Sequence, residues 1–344
     1  MKKFKIGSRH IGNGKPVFFL AEIGLNHNGD MKLAESMIRA ASRTGAEGVK
    51  FQTYQAETLA DPSKKPELFQ IFKRSELGKD EHMHLKEICD ELDMYFISTP
   101  FDEASVELLM ECDVPAFKIA SGDLTNIPLL KKVASCGKPI IISTGMGYMD
   151  EVLSAIKILE TSGASEILPL HCVSSYPPDD IEINLKTIST MTRTLIRPVG
   201  YSDHYVGALA ILGAVSLGAV FIEKHFTTDK NLPGPDQRLS SDEGELRTII
   251  GLTRALERML GDGEKRPSMK ETEIRNQGRK GIYAMVDIPK GVKIDMYHLK
   301  FNRPEGELPA SRVFDVIGKY SKCAIPAGSP ISEKHLETAP VNVK

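Results

Sequence analysis

Apolar residues along this chain gather in short blocks rather than alternating singly with polar ones. Such runs recur at Val17–Ile23, Gly48–Gln52, Tyr95–Ser98, Ala116–Ala120, Pro139–Ser143, Ile167–Cys172, Val199–Ser202 and Val220–Lys224. A short, nearly continuous apolar run is the pattern of a strand buried on both faces in a parallel sheet. Stretches with helical spacing lie between most of them, at Met31–Arg43, Glu81–Leu92, Ser105–Met110, Tyr148–Glu160 and Val206–Ser216, and Glu243–Leu260 follows the last. Eight such units in about 250 residues predict a closed (β/α)8 TIM barrel. The rival is an open doubly wound sheet, but the G-x-G-x-x-G that would follow its first strand is missing.

The flanks have a different character. Phe4–Ile11 and Lys15–Phe18 surround Asn13-Gly14, a two-residue hairpin signal, and the hairpin would cap the bottom of the barrel. Gly261 to Pro267 is polar, and beyond it lie short strands with two similar punctuations, Pro289-Lys290-Gly291 and Pro326-Ala327-Gly328. The pattern divides the chain into a barrel with its hairpin at 1–262, a linker at 263–280 and a small β-rich domain at 281–338.

In a barrel of this kind the C-terminal strand ends build the site, and here every end is polar. Glu22 and Asn26-His27-Asn28-Gly29 close the first strand, and Lys50, Gln52 and Thr53 the second. Ser98-Thr99-Pro100 closes the third, Lys118 with Ser121-Gly122-Asp123 the fourth, and Ser143-Thr144-Gly145 the fifth. Ser174-Ser175-Tyr176-Pro177 follows the sixth, while Ser202-Asp203-His204 and Glu223-Lys224-His225 close the last two. Two histidines at the ends of neighbouring parallel strands aim two imidazoles at one mouth, which suits a divalent metal with open coordination positions. Lys50 and Lys118 with hydroxyls from Thr99, Ser143, Ser174 and Ser202 suit a phosphate group, which needs charge and several hydrogen bonds at once. The alternatives are that these lysines pair with Glu22 and Glu223, or that one forms a Schiff base. Glu22 is a candidate general base or a partner of the metal shell, against a purely structural role holding Lys50. Asp236, in Pro233-Gly234-Pro235-Asp236, either meets a sugar hydroxyl or shapes its own turn, and Arg303 before Pro304 is a candidate or a surface charge.

Composition narrows the partners. The hydrophobic fraction of 41 % and charged fraction of 26 % are those of an ordinary globular protein. A formal net charge of −2 and the lack of a basic stripe argue against nucleic-acid or membrane-surface binding. No apolar run reaches signal-peptide or membrane-spanning length, so the expected location is cytoplasmic. Cys89, Cys112, Cys136, Cys172 and Cys323 stand singly, as free thiols in a reducing compartment. His171 and Cys172 are adjacent on a strand and point to opposite faces, so Cys172 is read as packing.

The ordered motifs resemble one known family, the sialic acid synthases, the bacterial N-acetylneuraminate and legionaminate synthase group. The motifs are Ala21-Glu22-Ile23-Gly24-Leu25-Asn26-His27-Asn28-Gly29, Val49-Lys50-Phe51-Gln52-Thr53, Ile97-Ser98-Thr99-Pro100-Phe101 and Phe117-Lys118-Ile119-Ala120-Ser121-Gly122-Asp123. They continue with Ser143-Thr144-Gly145-Met146, Ser202-Asp203-His204 and Glu223-Lys224-His225-Phe226, and the C-terminal part resembles the family's antifreeze-like (SAF) domain.

The resemblance implies a condensation of phosphoenolpyruvate with an N-acetylamino sugar and water, with release of phosphate. It implies a divalent ion on His204 and His225, manganese first, with magnesium, cobalt or zinc as alternatives. Phosphoenolpyruvate is expected at Lys50, Thr99, Lys118, Ser143, Ser174 and Ser202, the sugar at Gln52, Asp123, Tyr176, Asp236 and Arg303, and the essential carboxylate at Glu22. Arg303 is expected from the partner subunit of a domain-swapped homodimer. Asp123 stands where several N-acetylneuraminate synthases have glutamate, which leaves N-acetylmannosamine and 2,4-diacetamido-2,4,6-trideoxymannose both open as substrates. Two other readings are a keto-sugar-acid synthase of another phosphoenolpyruvate family and a non-catalytic saccharide-binding protein.

Overall fold

Side chains along the strand Phe221–His225 alternate in direction: Phe221 belongs to the barrel interior and Ile222 to the layer under the helices. The same period of two runs through all eight central strands. A computed structural model describes residues 3–338, and within it the chain divides into two compact units after Gly261. A hairpin, β1 (Phe4–Ile6) and β2 (Arg9–Ile11), comes first. The barrel strands are β3 (Phe18–Glu22), β4 (Gly48–Thr53), β5 (Tyr95–Pro100), β6 (Phe117–Ile119), β7 (Ile140–Ser143), β8 (Ile167–Cys172), β9 (Gly200–Asp203) and β10 (Phe221–His225). They are parallel and close in sequence order, with β10 returning to β3 in the register His225 opposite Glu22. The closed eight-stranded barrel stands as the apolar runs predicted.

Helices α1 (Met31–Ser42), α2 (Ala56–Leu59), α3 (Pro66–Ser75), α4 (Lys79–Glu91), α5 (Glu103–Glu111) and α6 (Ile127–Ser135) follow the early strands. After them come α7 (Met149–Thr161), α8 (Lys186–Leu195), α9 (Leu209–Ser216) and α10 (Glu243–Leu260). Their starts are set by local chemistry. Asp30 accepts from the Lys32 and Leu33 amides at the head of α1, and Asp242 with Glu245 forms a reciprocal cap on α10. The apolar pattern did not single out α3, α6 or α8. In α8 the cause is visible, because Thr187, Ser189, Thr190, Thr192 and Thr194 dilute the helical stripe of Ile188, Met191 and Leu195.

The hairpin closes the barrel floor, but its turn is elsewhere. Lys5 pairs with His10 and Ile6 with Arg9, so the two-residue loop is Gly7-Ser8, with Gly7 at φ 53°. A leading glycine suits one of the two tight hairpin turns, whereas Asn13-Gly14 only leads the chain into β3. Phe4, Ile6 and Ile11 pack against Phe18, Ile141, Leu168 and Phe221, and the Phe18 and Phe221 rings stack at 5.0 Å. Phe221→Ala is expected to cost about 3–5 kcal/mol in denaturant unfolding, because the floor cannot collapse around the void. A filled floor leaves the opposite end of the barrel as the open one.

The second unit has its own core of Ile282, Ile288, Ile294, Leu299, Leu308, Val316, Ile325 and Ile331. Helix α11 (Met269–Gly278) lies within the stretch read as linker, started by a reciprocal cap between Ser268 and Glu271. Two antiparallel pairs follow: β11 (Gly281–Ala284) with β12 (Leu299–Asn302), and β13 (Tyr320–Ser321) with β14 (Leu336–Glu337). The strand stretches before the two Pro-x-Gly turns meet as a bridge between Ile288 and Ile325. No described helix is long and apolar enough to cross a membrane.

Candidate active site

The period of two sends Glu22, Lys50, Gln52, Thr99, Lys118, Ser143, Cys172, Ser202, Glu223 and His225 into the barrel mouth, and His204 follows just past β9. With Ser174, Tyr176 and Asp236 from the loops they line one cavity of about 370 Å³. A larger cleft, about 560 Å³, lies at the opposite end beside Lys15 and Arg254 and has none of these strand-end groups. One expected residue is elsewhere. Asp123 is not part of the cavity lining: its Oδ1 accepts from Asn126 Nδ2 at 2.9 Å, at the start of α6, while its neighbours Ser121 and Gly122 face the cavity. Arg303 lies in the second unit directly after β12 and is exposed.

Charges in the mouth alternate in sign. Glu22 Oε2 lies 2.9 Å from Lys50 Nζ, Glu223 Oε1 lies 3.8 Å from Lys50 Nζ and 3.6 Å from Lys118 Nζ, and all four groups are buried. Hydroxyls complete the ring: Lys50 donates to Thr99 at 3.2 Å, Lys118 to Ser143 at 2.7 Å, and Ser202 to Glu223 at 3.1 Å. The lysines pair with the two glutamates, one of the readings the sequence left open, and both also line the cavity. Burial pushes the Glu22 carboxyl up to about 7, with Lys50 opposing and Glu223 reinforcing the rise. Burial also pushes Glu223 up, but Lys118 and Lys50 outweigh it and hold it below the usual carboxylate range. Lys118 is lowered by burial, only partly offset by Glu223. Asp236 is raised by burial to about 6.

His204 and His225 stand with ring centroids 5.2 Å apart. The His204 Nδ1 is 2.7 Å from the Val173 carbonyl, which assigns the proton to Nδ1 and leaves the lone pair on Nε2. His225 Nδ1 is buried without a hydrogen-bond partner, 3.6 Å from Asp236 Oδ2. Burial lowers both imidazoles, His225 well below the ordinary range, which favours the neutral form of each. The Tyr176 ring stacks on His204 at 4.0 Å. Among the described residues no group of three or more histidine, cysteine or carboxylate side chains is gathered around one point as a metal cage. What fits an ion with open positions is the unpartnered His225 Nδ1 beside a His204 whose Nε2 is left free by the Val173 contact.

Some residues take roles the sequence did not give them. Cys172, read as packing, lines the cavity beside Lys118, while His171 on the other face binds the Ile183 carbonyl at 2.7 Å. Its period-two spacing from Leu168 and Leu170 on the interior face was the available signal. Asn26 and His27 are structural. Asn26 Nδ2 donates to the Phe226 carbonyl and Ser240 Oγ, both at 2.9 Å, and His27 Nδ1 accepts from the Gly29 amide at 3.1 Å. Phe101 and Met146 add apolar wall to the mouth.

The chain as a whole has known relatives. The profile of the NeuB family matches residues 37–265. The chain belongs to the NeuB family. A SAF domain match covers residues 279–337, in agreement with the antifreeze-like resemblance. An uncharacterised protein of Methanocaldococcus jannaschii is 46 % identical over 304 residues, covering 88 % of this chain and 90 % of that one. The N,N′-diacetyllegionaminic acid synthase of Legionella pneumophila is 38 % identical over 347 residues, covering 96 % of this chain and 98 % of its own. Among solved structures, an N-acetylneuraminic acid synthetase from Leptospira borgpetersenii in complex with citrate has a TM-score of 0.75 at 38 % identity, covering 79 % of this chain and 95 % of that one. This NeuB-family chain is an enzyme, a synthase of the transferase class, and the non-catalytic reading is set aside.

Proposed function

We propose that this enzyme condenses phosphoenolpyruvate with N-acetylmannosamine and water to give N-acetylneuraminate and phosphate. The observation that supports this most is the pair of buried lysines set among hydroxyls in one small cavity, beside a carboxyl raised to about 7. Lys50 and Lys118, with Thr99, Ser143, Ser174 and Ser202, hold the phosphate and carboxylate of phosphoenolpyruvate by charge-assisted hydrogen bonds. Gln52, Tyr176 and Asp236, on the outer wall, orient the sugar. A divalent ion on His204 and His225, manganese in this proposal and magnesium or cobalt as alternatives, would supply Lewis-acid polarisation of the open-chain aldehyde.

The bond changes follow from that placement. The C=C π pair of the enol ether forms the bond from its methylene carbon to the aldehyde carbon, the C=O π pair moves onto the aldehyde oxygen, and the carbon bearing phosphate becomes cationic. Water adds there and Glu22 takes its proton, and the aldehyde oxygen gains a proton to become a hydroxyl; a carboxyl near 7 both accepts and returns a proton at working pH, which resets Glu22 for the next turn. The hydroxyl just added then passes its proton to the departing phosphate as the C–O bond to phosphate breaks, giving the keto group, and Lys50 and Lys118 balance the charge of the leaving phosphate. In the same proposal Arg303 completes the sugar site from the second copy of a domain-swapped dimer. Arg303→Ala then raises the sugar KM, and sedimentation reads the dimer.

The second reading is legionaminate synthesis from 2,4-diacetamido-2,4,6-trideoxymannose. It is favoured by the 38 % identity to the Legionella synthase over 96 % of this chain. Phosphate release measured with each sugar separates the two, and silence with both rejects the proposed condensation.

A further inference from the structure

The loop after β7 holds a residue that the bond changes above do not use. Met146 faces the cavity mouth, is 73 % exposed, and has a left-handed backbone with φ 64°. A residue with a Cβ adopts that conformation at a cost, and such strain concentrates where a ligand is met. The loop is fixed on both sides of it. A Cβ on Gly145 would lie 2.3 Å from Ser174 Oγ and 2.8 Å from Ser121 Oγ, and one on Gly147 2.3 Å from Leu124 Cδ2. The Gly145 amide donates to Ser121 Oγ at 3.0 Å and the Gly147 amide to the Thr144 carbonyl at 3.2 Å. The flanking glycines are pressed against their neighbours, so the strained conformation is imposed while the methionine side chain stays largely unpacked.

The chemistry of the wall narrows what this side chain meets. Lysines, carboxylates, hydroxyls and imidazoles make most of the lining, and Met146 and Phe101 are its large wholly apolar side chains. A polyhydroxylated amino sugar offers few apolar groups, the clearest being a methyl, on the N-acyl group or at a deoxygenated C6. We infer that Met146 is a specificity residue that contacts a methyl group of the amino sugar. The inference rests on the amino-sugar reading of the site and assigns this residue to the sugar rather than to phosphoenolpyruvate.

Steady-state phosphate release by wild type, Met146→Ala and Met146→Gly tests it, using N-acetylmannosamine, its N-formyl counterpart and its 6-deoxy counterpart. Loss of one methyl contact predicts a rise of roughly fourfold, in both variants, in the KM of the sugar that carries the methyl met: the N-acetyl sugar for the acyl methyl, the 6-deoxy sugar for the C6 methyl. The KM of phosphoenolpyruvate and kcat stay within about twofold, since a methyl contact of this size leaves the phosphate-binding groups untouched. If the effect disappears with the N-formyl sugar, the acyl methyl is the group met; if it appears with the 6-deoxy sugar alone, the C6 methyl is. Met146→Gly also removes the left-handed strain, so its Tm does not fall. A merely structural role would lower that Tm and leave the sugar KM unchanged, and this result overturns the inference alone. Absence of phosphate release by wild type with all three sugars overturns the N-acetylmannosamine reading on which the inference rests, and the inference with it.

Discussion

Lys224 and Asp203 face one another on the outer side of β10 and β9, with Nζ 2.8 Å from Oδ2 and neither side chain exposed. They are paired in the register of the two strands, and each immediately precedes one of the two histidines. The period of two turns the ion pair outward and the imidazoles inward. The pair ties the strands together at the level where the histidines must stand side by side. Removing one partner leaves an uncompensated buried charge, so Asp203→Asn or Lys224→Met is expected to cost about 3–5 kcal/mol in urea unfolding. A cost below about 1 kcal/mol, the range of exposed ion pairs, would show that the pair does not hold the strands.

Glu22 is the proposed proton acceptor. Glu22→Gln keeps the shape and the hydrogen bond from Gln52 and is expected to lower kcat about 10²–10⁴-fold. The sign of the pH dependence is fixed by the direction of its shift. With a carboxyl raised to about 7, the reactive carboxylate is gained as pH rises, so kcat/KM climbs through about pH 7. The glutamine variant lacks this inflection, and a wild-type profile flat from pH 5.5 to 8.5 would remove Glu22 from the role.

Metal binding is read without turnover. Titration calorimetry of manganese into the chelator-treated wild-type enzyme is expected to give one site per chain, lost in His204→Ala and in His225→Ala. Burial holds both imidazoles below their ordinary range, so binding persists through pH 6.5 and is lost only on stronger acidification. Retained stoichiometric binding in either variant would place the ion elsewhere.

In the proposed site Lys118 serves phosphoenolpyruvate and not the sugar. Its ammonium sits between Glu223 and Ser143, deep in the mouth. Lys118→Met removes a charge-assisted hydrogen bond of about 1.5–3 kcal/mol, which predicts a rise of about 10- to 150-fold in the KM for phosphoenolpyruvate. The sugar KM is expected to stay within about threefold, because a residue that does not touch the sugar contributes no uniform binding to it. Equal effects on both would mean that Lys118 acts through the shape of the whole mouth.

Continuous apolar strands and strand-end polar groups make the barrel and most of its site legible in the sequence, because both obey short-range periods. What the sequence hid depends on choices between local alternatives. Asn13-Gly14 is the stronger hairpin signal in isolation, yet Gly7-Ser8 makes the turn because only that register buries Phe4, Ile6 and Ile11 together under the floor. Asp123 takes a partner three residues away in Asn126, the local hydrogen bonding that short carboxylates favour. Cys172 is buried and also lines the cavity, in step with Leu170 on the inner face of the same strand. Met146 could not be singled out at all, since its distinction is a backbone angle set by the space around two glycines.

The most direct test of the central claim is phosphate release from phosphoenolpyruvate labelled with ¹⁸O in the bridging position, with manganese and N-acetylmannosamine or its 2,4-diacetamido-trideoxy analogue. The proposal predicts release only when a sugar is present, one nonulosonate formed per phosphate, and the label recovered in the phosphate because the C–O bond breaks. No release with either sugar, or label retained in the organic product, would contradict it.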